Sequence, residues 1–489
     1  MDRWTSFHAA QSSSMADRLS SYRRKRDLDA TPEPGGGDSR EPADGGARFV
    51  IQEHHASHLH WDLRLERDGV LASWALPKGV PSHPDENRLA VRTEDHPIEY
   101  LDFEGEIPKG SYGAGTMAVW DRGTYEAEKF RDKEVIATLR GERVQGRYAL
   151  FHTGGKNWMI HRMDPPADPS AGPMPEEIQP MLARLASLPR DDDAYGFEVK
   201  WDGVRAVAHA DAGHLTLTGR NGTDFTGRYP ELRAMAQALG SRRAILDGEV
   251  VAFDDQGRPS FERLQLRMHL ASESQVRRRM RDVPVVYVAF DLLWLEGHST
   301  LELAYRDRRR LLEALELTGP CWRTPAHREG DGEALLQASR DQELEGIVAK
   351  RLDSVYEPGR RSSAWIKVKN HGAQDVVVGG YTRGEGGRSA SLGALAVGTF
   401  DEGRLVYAGK VGSGFTASTL SDLMRRLEPL RRRRSPFEGR QPPKGTLFVE
   451  PALVARVEFR EWTRAGTLRA PSFKGLREDI DPGDVVREG

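Results

Sequence analysis

In the run Leu59-His60-Trp61-Asp62-Leu63-Arg64-Leu65-Glu66, apolar and polar residues alternate without a break. On a strand, successive side chains point to opposite faces. His60, Asp62, Arg64 and Glu66 therefore share one face, and Leu59, Trp61, Leu63 and Leu65 form a core face. His54 lies shortly upstream, and His96 follows in EDHPIEY. Imidazole and carboxylate together suit a divalent transition metal such as Mn²⁺ or Zn²⁺. Arg64, Lys78 and Arg88 supply cations that could hold a phosphate. Metal, arginine and histidine together are the means of phosphoester hydrolysis. The residues alone also fit a solvated polar face.

A second group centres on Lys200-Trp-Asp-Gly-Val-Arg205. A lysine becomes an attacking amine when desolvation or neighbouring cations lower its pKa. The plain alternative is a surface lysine before an Asp-Gly turn. Further pieces follow in order: Arg220 in TGRNGTDF, Glu249 in LDGEVVAFD, Phe290 in VAFDLLW, and Glu345 and Lys350 in EGIVAKR. WIKVKN puts Lys367 and Lys369 on one strand face, with Ile366 and Val368 on the other. Two adjacent cations repel, so they call for a polyanion, and a triphosphate fits. Glu249 and Glu345 suit a ribose or Mg²⁺, and Phe290 a purine face.

The elements that must position these residues are readable in outline. Residues 1–46 are rich in Ser, Arg, Gly and Pro and read as a flexible arm. Residues 47–163 carry short apolar runs broken by Asp-Gly, a strand-and-hairpin signal. Residues 164–178 form a Pro-rich linker. In 179–372, strand-like runs alternate with helix-like ones (YPELRAMAQALG, RDRRRLLEALEL, EALLQASRDQEL), which predicts mixed α/β. Residues 373–489 show short strands with Gly turns and predict a small barrel. The chain has 489 residues, 38% of them hydrophobic, so it can bury real cores. Charge nearly cancels, 71 Lys and Arg against 74 Asp and Glu, so a nucleic-acid surface must be a local patch. A single cysteine, Cys321, excludes an intramolecular disulfide and a four-cysteine zinc site. No apolar run spans a bilayer and no signal peptide is evident, so the expected location is the cytoplasm. The text does not decide between Met1 and Met15 as the start.

QEHHASHLHWDLRL, SWALPKG, RLAVRTEDHPIEYLDFEGEIPKGSYGAGTMAVWDRG and KNWMIHR resemble the 3′-phosphoesterase domain of bacterial DNA ligase D. That resemblance implies a β-barrel-like domain that removes a 3′-phosphate or a 3′ ribonucleoside to leave a 3′-OH. It makes His54, His60 and Asp62 the Mn²⁺ ligands. Arg64, Lys78 and Arg88 fall around the phosphate, with His96 and Tyr100 as the catalytic and supporting groups. Asp27 and Glu33 match acidic residues of an N-terminal arm that folds back on the site. His55 and His58 read as surface residues.

The central pieces resemble the motif ladder of covalent nucleotidyltransferases, which include ATP-dependent DNA ligases, RNA ligases and capping enzymes. The resemblance makes Lys200 the nucleophile that takes AMP from ATP. Arg205, Arg220 and Glu249 then contact ribose and phosphates, Phe290 stacks on the base, and Glu198 sits at the adenine edge. Glu345 and Glu249 serve Mg²⁺ or Mn²⁺, and Lys367 and Lys369 the α-phosphate. The C-terminal part resembles an OB-fold β-barrel whose last motif closes over the pyrophosphate; Lys474, Arg477 and Asp479 fall in that ending. The family pattern there is Arg-Glu-Asp-Lys, whereas this chain ends the motif on Ile480, leaving Lys474 or Arg477 to supply the charge. Arg431 to Arg434 read as a solvated basic face rather than a phosphate contact.

Together the two halves imply an ATP-dependent DNA ligase with 3′-end healing, working on nicks and double-strand breaks in nonhomologous end joining at the bacterial nucleoid. A Ku-type partner and a separate polymerase are implied, because a polymerase domain has no room here. An RNA ligase or capping-type enzyme, and a DNA-end scaffold with weakened ligase activity, are the alternatives.

Overall fold

The computed structural model describes residues 18–36, 46–166, 168–268, 270, 272–370, 372–384, 392–460, 462–463 and 465–488. Much of the expected arm therefore lies outside the described residues.

The first unit is a closed antiparallel barrel. Its strands run in the order Ala47–His55, Leu59–Arg67, Val70–Leu76, Asn87–Arg92, Asn157–Arg162, Gln145–Gly154, Glu134–Gly141 and Gly115–Arg131, and the last pairs back onto the first. The short strand Gly105–Ile107 flanks it. Alternation decides what lies inside. Phe49, Ile51, Trp61, Leu63, Leu65 and Trp74 fill the barrel. Val50 points outward and joins a second small core with Leu19, Tyr22, Ile98, Tyr100 and Phe103. That outer core is roofed by the helix Ser20–Arg24 and the 3-10 turn Ile98–Leu101. The arm is thus packed where it is described; Tyr22 Oη donates to Pro34 O at 2.7 Å and fixes its fold.

The middle unit has two sheets, as mixed α/β text predicts. One has five strands and includes Tyr195–Val199, Gly346–Arg351 and Arg361–Lys369. The other has seven and includes Val204–Asp211, Ala244–Ala252 and Val285–Leu295. Helix Arg233–Ala238 falls within the first helix-like run, and helices Tyr305–Ala314 and Gly332–Asp341 each begin one residue ahead of the second and third. The aromatic cluster Phe290, Trp294, Tyr356 and Trp365 draws residues from both sheets.

The last unit is the expected small barrel. Strands Arg404–Val411, Leu392–Asp401, Gly372–Arg383, Leu447–Phe459 and Ser472–Arg477 pair in that order. A bridge between Ser413 and Ser472 closes the ring. Leu423 and Leu427 of helix Ala417–Leu427 complete its core. No helix of the described residues is long and apolar enough to cross a membrane.

Candidate active sites

The outer face of the first barrel gathers one cluster. His54, His60 and Asp62 offer ligand atoms that all lie within 4.8 Å of one another. Their strands pair antiparallel with His54 opposite His60, so the turn between them sets the cluster. His60 Nδ1 lies 3.0 Å from His58 O and so carries the hydrogen, which leaves its Nε2 to face Asp62 at 3.8 Å. His54 Nε2 is buried without a hydrogen-bond partner among the described residues. An orphaned imidazole nitrogen beside a second imidazole and a carboxylate is the donor set that fits a divalent metal. Burial opposes the charge of Asp62, but Arg64 with His54 and His60 holds its carboxyl well below the usual range.

Arg64 joins this cluster to the second half of the site. It donates to Asp62 Oδ2 at 3.0 Å and to the buried Gln52 Oε1 at 2.7 Å, and its guanidinium lies 4.8 Å from the Tyr100 ring centre. His96 is buried, and its Nδ1–H donates to Glu94 O at 2.8 Å. Its Nε2 lone pair therefore faces Arg26 Nη2, 3.2 Å away. Burial, with Arg64 and Arg26 nearby, pushes the His96 pKa well down, so the ring is neutral. Arg26 comes from the arm. It donates to Glu33 at 2.6 Å and Glu94 at 2.8 Å and stacks on Tyr22. Glu33 also accepts from Tyr100 Oη. Asp27, its expected companion, is exposed, and its carboxylate accepts from the Asp29 N–H at 3.3 Å. Sequence reasoning missed Arg26, although YRRKRD carries four cations beside the expected Asp27. His55 and His58 are exposed, as read.

Two expected phosphate contacts are elsewhere. Arg88 shares its strand face with Ala90, which lies in the barrel core, so it points away from the outer cluster. It donates to Lys78 O and Glu86, and Asp211 of the middle unit lies 3.9 Å away. Lys78 is exposed, with Asp211 its nearest carboxylate at 3.9 Å. These residues belong to the seam between units, where Arg243 pairs with Glu86 at 2.9 Å and Asp211 at 2.8 Å.

The second site is a pocket between the two central sheets. Its walls include Glu198, Lys200, Arg205, Arg220, Glu249, Phe290, Lys367 and Lys369, all expected from sequence. Lys200 follows the strand Tyr195–Val199, and its N–H donates to Gly346 O at 2.9 Å. Gly346 has φ +147°, and a Cβ there would lie 2.1 Å from Val368 O. Only glycine lets this backbone carry Lys200 and Glu345 so close to the Lys369 strand. Lys200 Nζ donates to Glu345. Burial lowers the Lys200 pKa; Arg456 and Lys369 add to this, and Glu345 opposes it. That is the environment of an activated amine.

The other cations are also held. Arg205 makes a two-point pair with Asp247 at 2.6 and 2.5 Å and lies 4.7 Å from the Phe290 ring centre. Lys350 is buried against Phe290 and Trp365 and donates to Phe290 O at 2.9 Å. It also pairs with Glu198 at 3.0 Å, which accepts from Tyr305 Oη as well. Burial raises the Glu249 pKa to about 7, against the pull of Arg205, Arg477 and Lys200. Glu345 accepts from Arg456 as well as Lys200.

The closing barrel contributes Asp375, Arg456, Arg477 and Glu488 to the same pocket. Arg477 sits there, paired with Asp479 at 2.8 and 2.6 Å. Lys474 does not reach it. It alternates with the buried Phe473 and pairs with Glu458 at 2.9 Å. Ile480 packs beside Val377, Phe437 and Val485 and lines the adjoining cavity with Asp479 and Asp484. Trp365, Arg456, Asp375 and Glu488 were not foreseen. A charge inside an otherwise apolar strand, as in LVARVEF, was the available signal for Arg456. Arg431, Arg433 and Arg434 are exposed, and Arg432 pairs with Glu450 at 3.0 Å.

Comparison with known proteins gives this geometry a family. Residues 52–152 match the DNA Ligase D 3′-phosphoesterase domain, 180–369 the ATP dependent DNA ligase domain, and 388–480 the ATP dependent DNA ligase C terminal region. The multifunctional non-homologous end joining protein LigD of Mycolicibacterium smegmatis is 47% identical over 97% of this chain. The protein of that name from Pseudomonas aeruginosa is 38% identical over 96%. The chain spans 62% of the length of each of these relatives. A solved mycobacterial DNA ligase D complexed with ATP and MES is 40% identical, with a TM-score of 0.48, covering 64% of this chain and 98% of its own. By its phosphoesterase, ligase and C-terminal ligase domains together, the chain belongs to the bacterial DNA ligase D family.

Proposed function

We propose that this chain heals and seals DNA ends. In the sealing reaction, Lys200 Nζ attacks the α-phosphorus of ATP and pyrophosphate leaves. The lysine-bound AMP passes to a DNA 5′-phosphate, and the 3′-OH across the nick then displaces AMP. The observation that carries this reading is a buried lysine with a lowered pKa, in one pocket with aromatic rings (Phe290, Trp365) and with phosphate-sized cations (Lys367, Lys369, Arg205). Phe290 and Trp365 receive the base. Glu198, held by Lys350 and Tyr305, faces its edge. Arg220, Arg456 and Arg477 offset phosphate charge. Glu249 and Glu345 would hold Mg²⁺ or Mn²⁺, which would neutralise the phosphates further.

In the healing reaction, Arg64 and Arg26 bind the terminal 3′-phosphate, and the His96 Nε2 lone pair, shielded from bulk water, takes or returns a proton. Tyr100 and Glu33 orient this group. His54, His60 and Asp62 would hold Mn²⁺ or a similar ion, whose contribution is Lewis-acid polarisation of the phosphate. Lys78 and Arg88 instead fasten the healing unit to the sealing unit. We read residues 47–163, 179–372 and 373–489 as the healing, adenylation and OB units. Double-stranded DNA with nicks or ends is the substrate, a Ku-type protein and a separate polymerase are partners, and the nucleoid is the location.

The test is transfer of label from α-labelled ATP to protein. Wild type should become labelled and lose the label to nicked DNA as the nick closes, whereas Lys200→Ala should take none. Equal labelling of both proteins would refute Lys200 as nucleophile.

A further inference from the structure

The nucleotide pocket contains a carboxylate that no phosphate-handling motif in the sequence accounts for. Glu488 accepts from Lys367 Nζ and, at 2.8 Å, from Lys369 Nζ. It follows the turn Pro482–Asp484, on a segment laid against the closing barrel. Phe400 N–H donates to Val485 O at 2.7 Å, and Phe400 and Val486 form a bridge. Both backbone groups of Glu488 are then fixed by side chains. Its N–H donates to Gln374 Oε1 at 2.9 Å, and its carbonyl accepts from Trp462 Nε1 at 3.1 Å. Gln374, itself 2% exposed, also donates to Val486 O at 3.0 Å. Burial opposes a charge at Glu488, but the two lysines hold its pKa down at about 2. A carboxylate is therefore presented, ionised and on a fixed backbone, to the two ammonium groups that a nucleotide phosphate needs.

We propose that Glu488 is an intramolecular stand-in for nucleotide phosphate: it occupies Lys367 and Lys369 in the free enzyme and must leave them before ATP can bind. This rests on reading the pocket as an ATP site. Two ammonium groups side by side repel, so an anion lowers their energy in the empty pocket. Incoming phosphate and the resident carboxylate carry the same charge and seek the same Nζ hydrogens, so they compete. Because Glu488 is anchored on the closing barrel and the lysines on the central unit, the contact also holds the two units together before substrate arrives. The affinity for ATP is then set by the difference between the two anions.

The experiment is calorimetric binding of ATP, and of adenosine, to the full chain in EDTA, where no transfer occurs. Charge-assisted contacts are strong enough that Glu488→Gln should bind ATP about tenfold more tightly than wild type. Adenosine, which has no phosphate to compete, should bind both proteins alike. Trp462→Phe, which keeps an aromatic ring but removes the hydrogen bond to the Glu488 carbonyl, should shift ATP binding the same way by a smaller factor. ATP binding by Glu488→Gln that is no tighter than by wild type would overturn the proposal, and so would an equal gain for adenosine. Binding of neither ligand by any of the proteins would overturn the ATP reading of the pocket, and this inference with it.

Discussion

On the proposed reading both sites hold phosphate, yet they are built differently. The healing site is built on the outer face of one strand pair and roofed by a short arm; His54, His60, Asp62 and Arg64 are close in sequence, and Arg26 and His96 join them from farther away. It keeps an imidazole nitrogen at His54 without a partner among the described residues. The sealing pocket draws on two sheets and a second barrel, and its cations are paired internally: Lys200 with Glu345, Arg205 with Asp247, Lys350 with Glu198, Arg477 with Asp479. A site with an open ligand position waits for an ion. The arginines of the healing site are paired as well, Arg64 with Asp62 and Arg26 with Glu33 and Glu94, so the open imidazole nitrogen is what sets it apart; on the proposed reading, the sealing substrate has only carboxylates to displace.

If that contrast is right, single changes should separate the two activities. The largest effect is expected from Lys200→Ala, which should cost self-adenylation about a thousandfold or more and leave 3′-phosphate removal intact, measured on a blocked primer. His60→Ala should do the reverse, cutting 3′-phosphate release by about a hundredfold or more through loss of a ligand, with normal labelling by α-labelled ATP. A His60→Ala protein that trims normally would remove the healing site as drawn. Next comes Arg26→Ala, which should slow trimming by about a hundredfold, whereas Lys78→Ala should cost less than about fivefold, as for an exposed pair. The reverse order would return Lys78 to the phosphate. The smallest effect concerns pH. The attacking form of Lys200 is the neutral amine, and burial lowers its pKa from the usual 10.5. The rate of self-adenylation should therefore rise with pH and level off below the range of a free lysine. A rate still rising steeply above pH 10.5 would show that Lys200 is not activated.

The sequence exposed the strand-borne residues well, because period-two alternation states which face a side chain takes. His60, Asp62 and Arg64 against Trp61 and Leu63 is the clear case, and Lys367 and Lys369 against Ile366 and Val368 is another. Alternation fixes relative faces within one strand, however, and not which face of a barrel looks inward. That is why Arg88, read as a phosphate ligand, lies on the Ala90 side. Contacts between distant segments were invisible for a related reason. Arg26 reaches His96 across 70 positions, Arg456 reaches Glu345 across 111, and Glu488 reaches Lys367 across 121. No local pattern encodes such pairs. The OB ending shows both limits. The sequence offered Lys474 and Arg477 equally, but a bulge between Phe473 and Gly475 breaks the alternation: Phe473 and Leu476 both enter the core, Arg477 turns to the pocket, and Lys474 is left to pair with Glu458.

The central claim is that one chain carries two independent sites that act in sequence on one DNA end. The most direct measurement uses a nicked duplex blocked by a 3′-phosphate, with a 5′-phosphate across the nick, followed for sealed product. Wild type should seal it. His60→Ala should stall at the blocked nick yet seal the same duplex with a 3′-OH, and Lys200→Ala should unblock the end and stop. Mixing the two variants should restore sealing, because the healed DNA can pass from one molecule to the other. Sealing of the blocked duplex by His60→Ala alone, or failure of the 3′-OH duplex with that variant, would contradict the account.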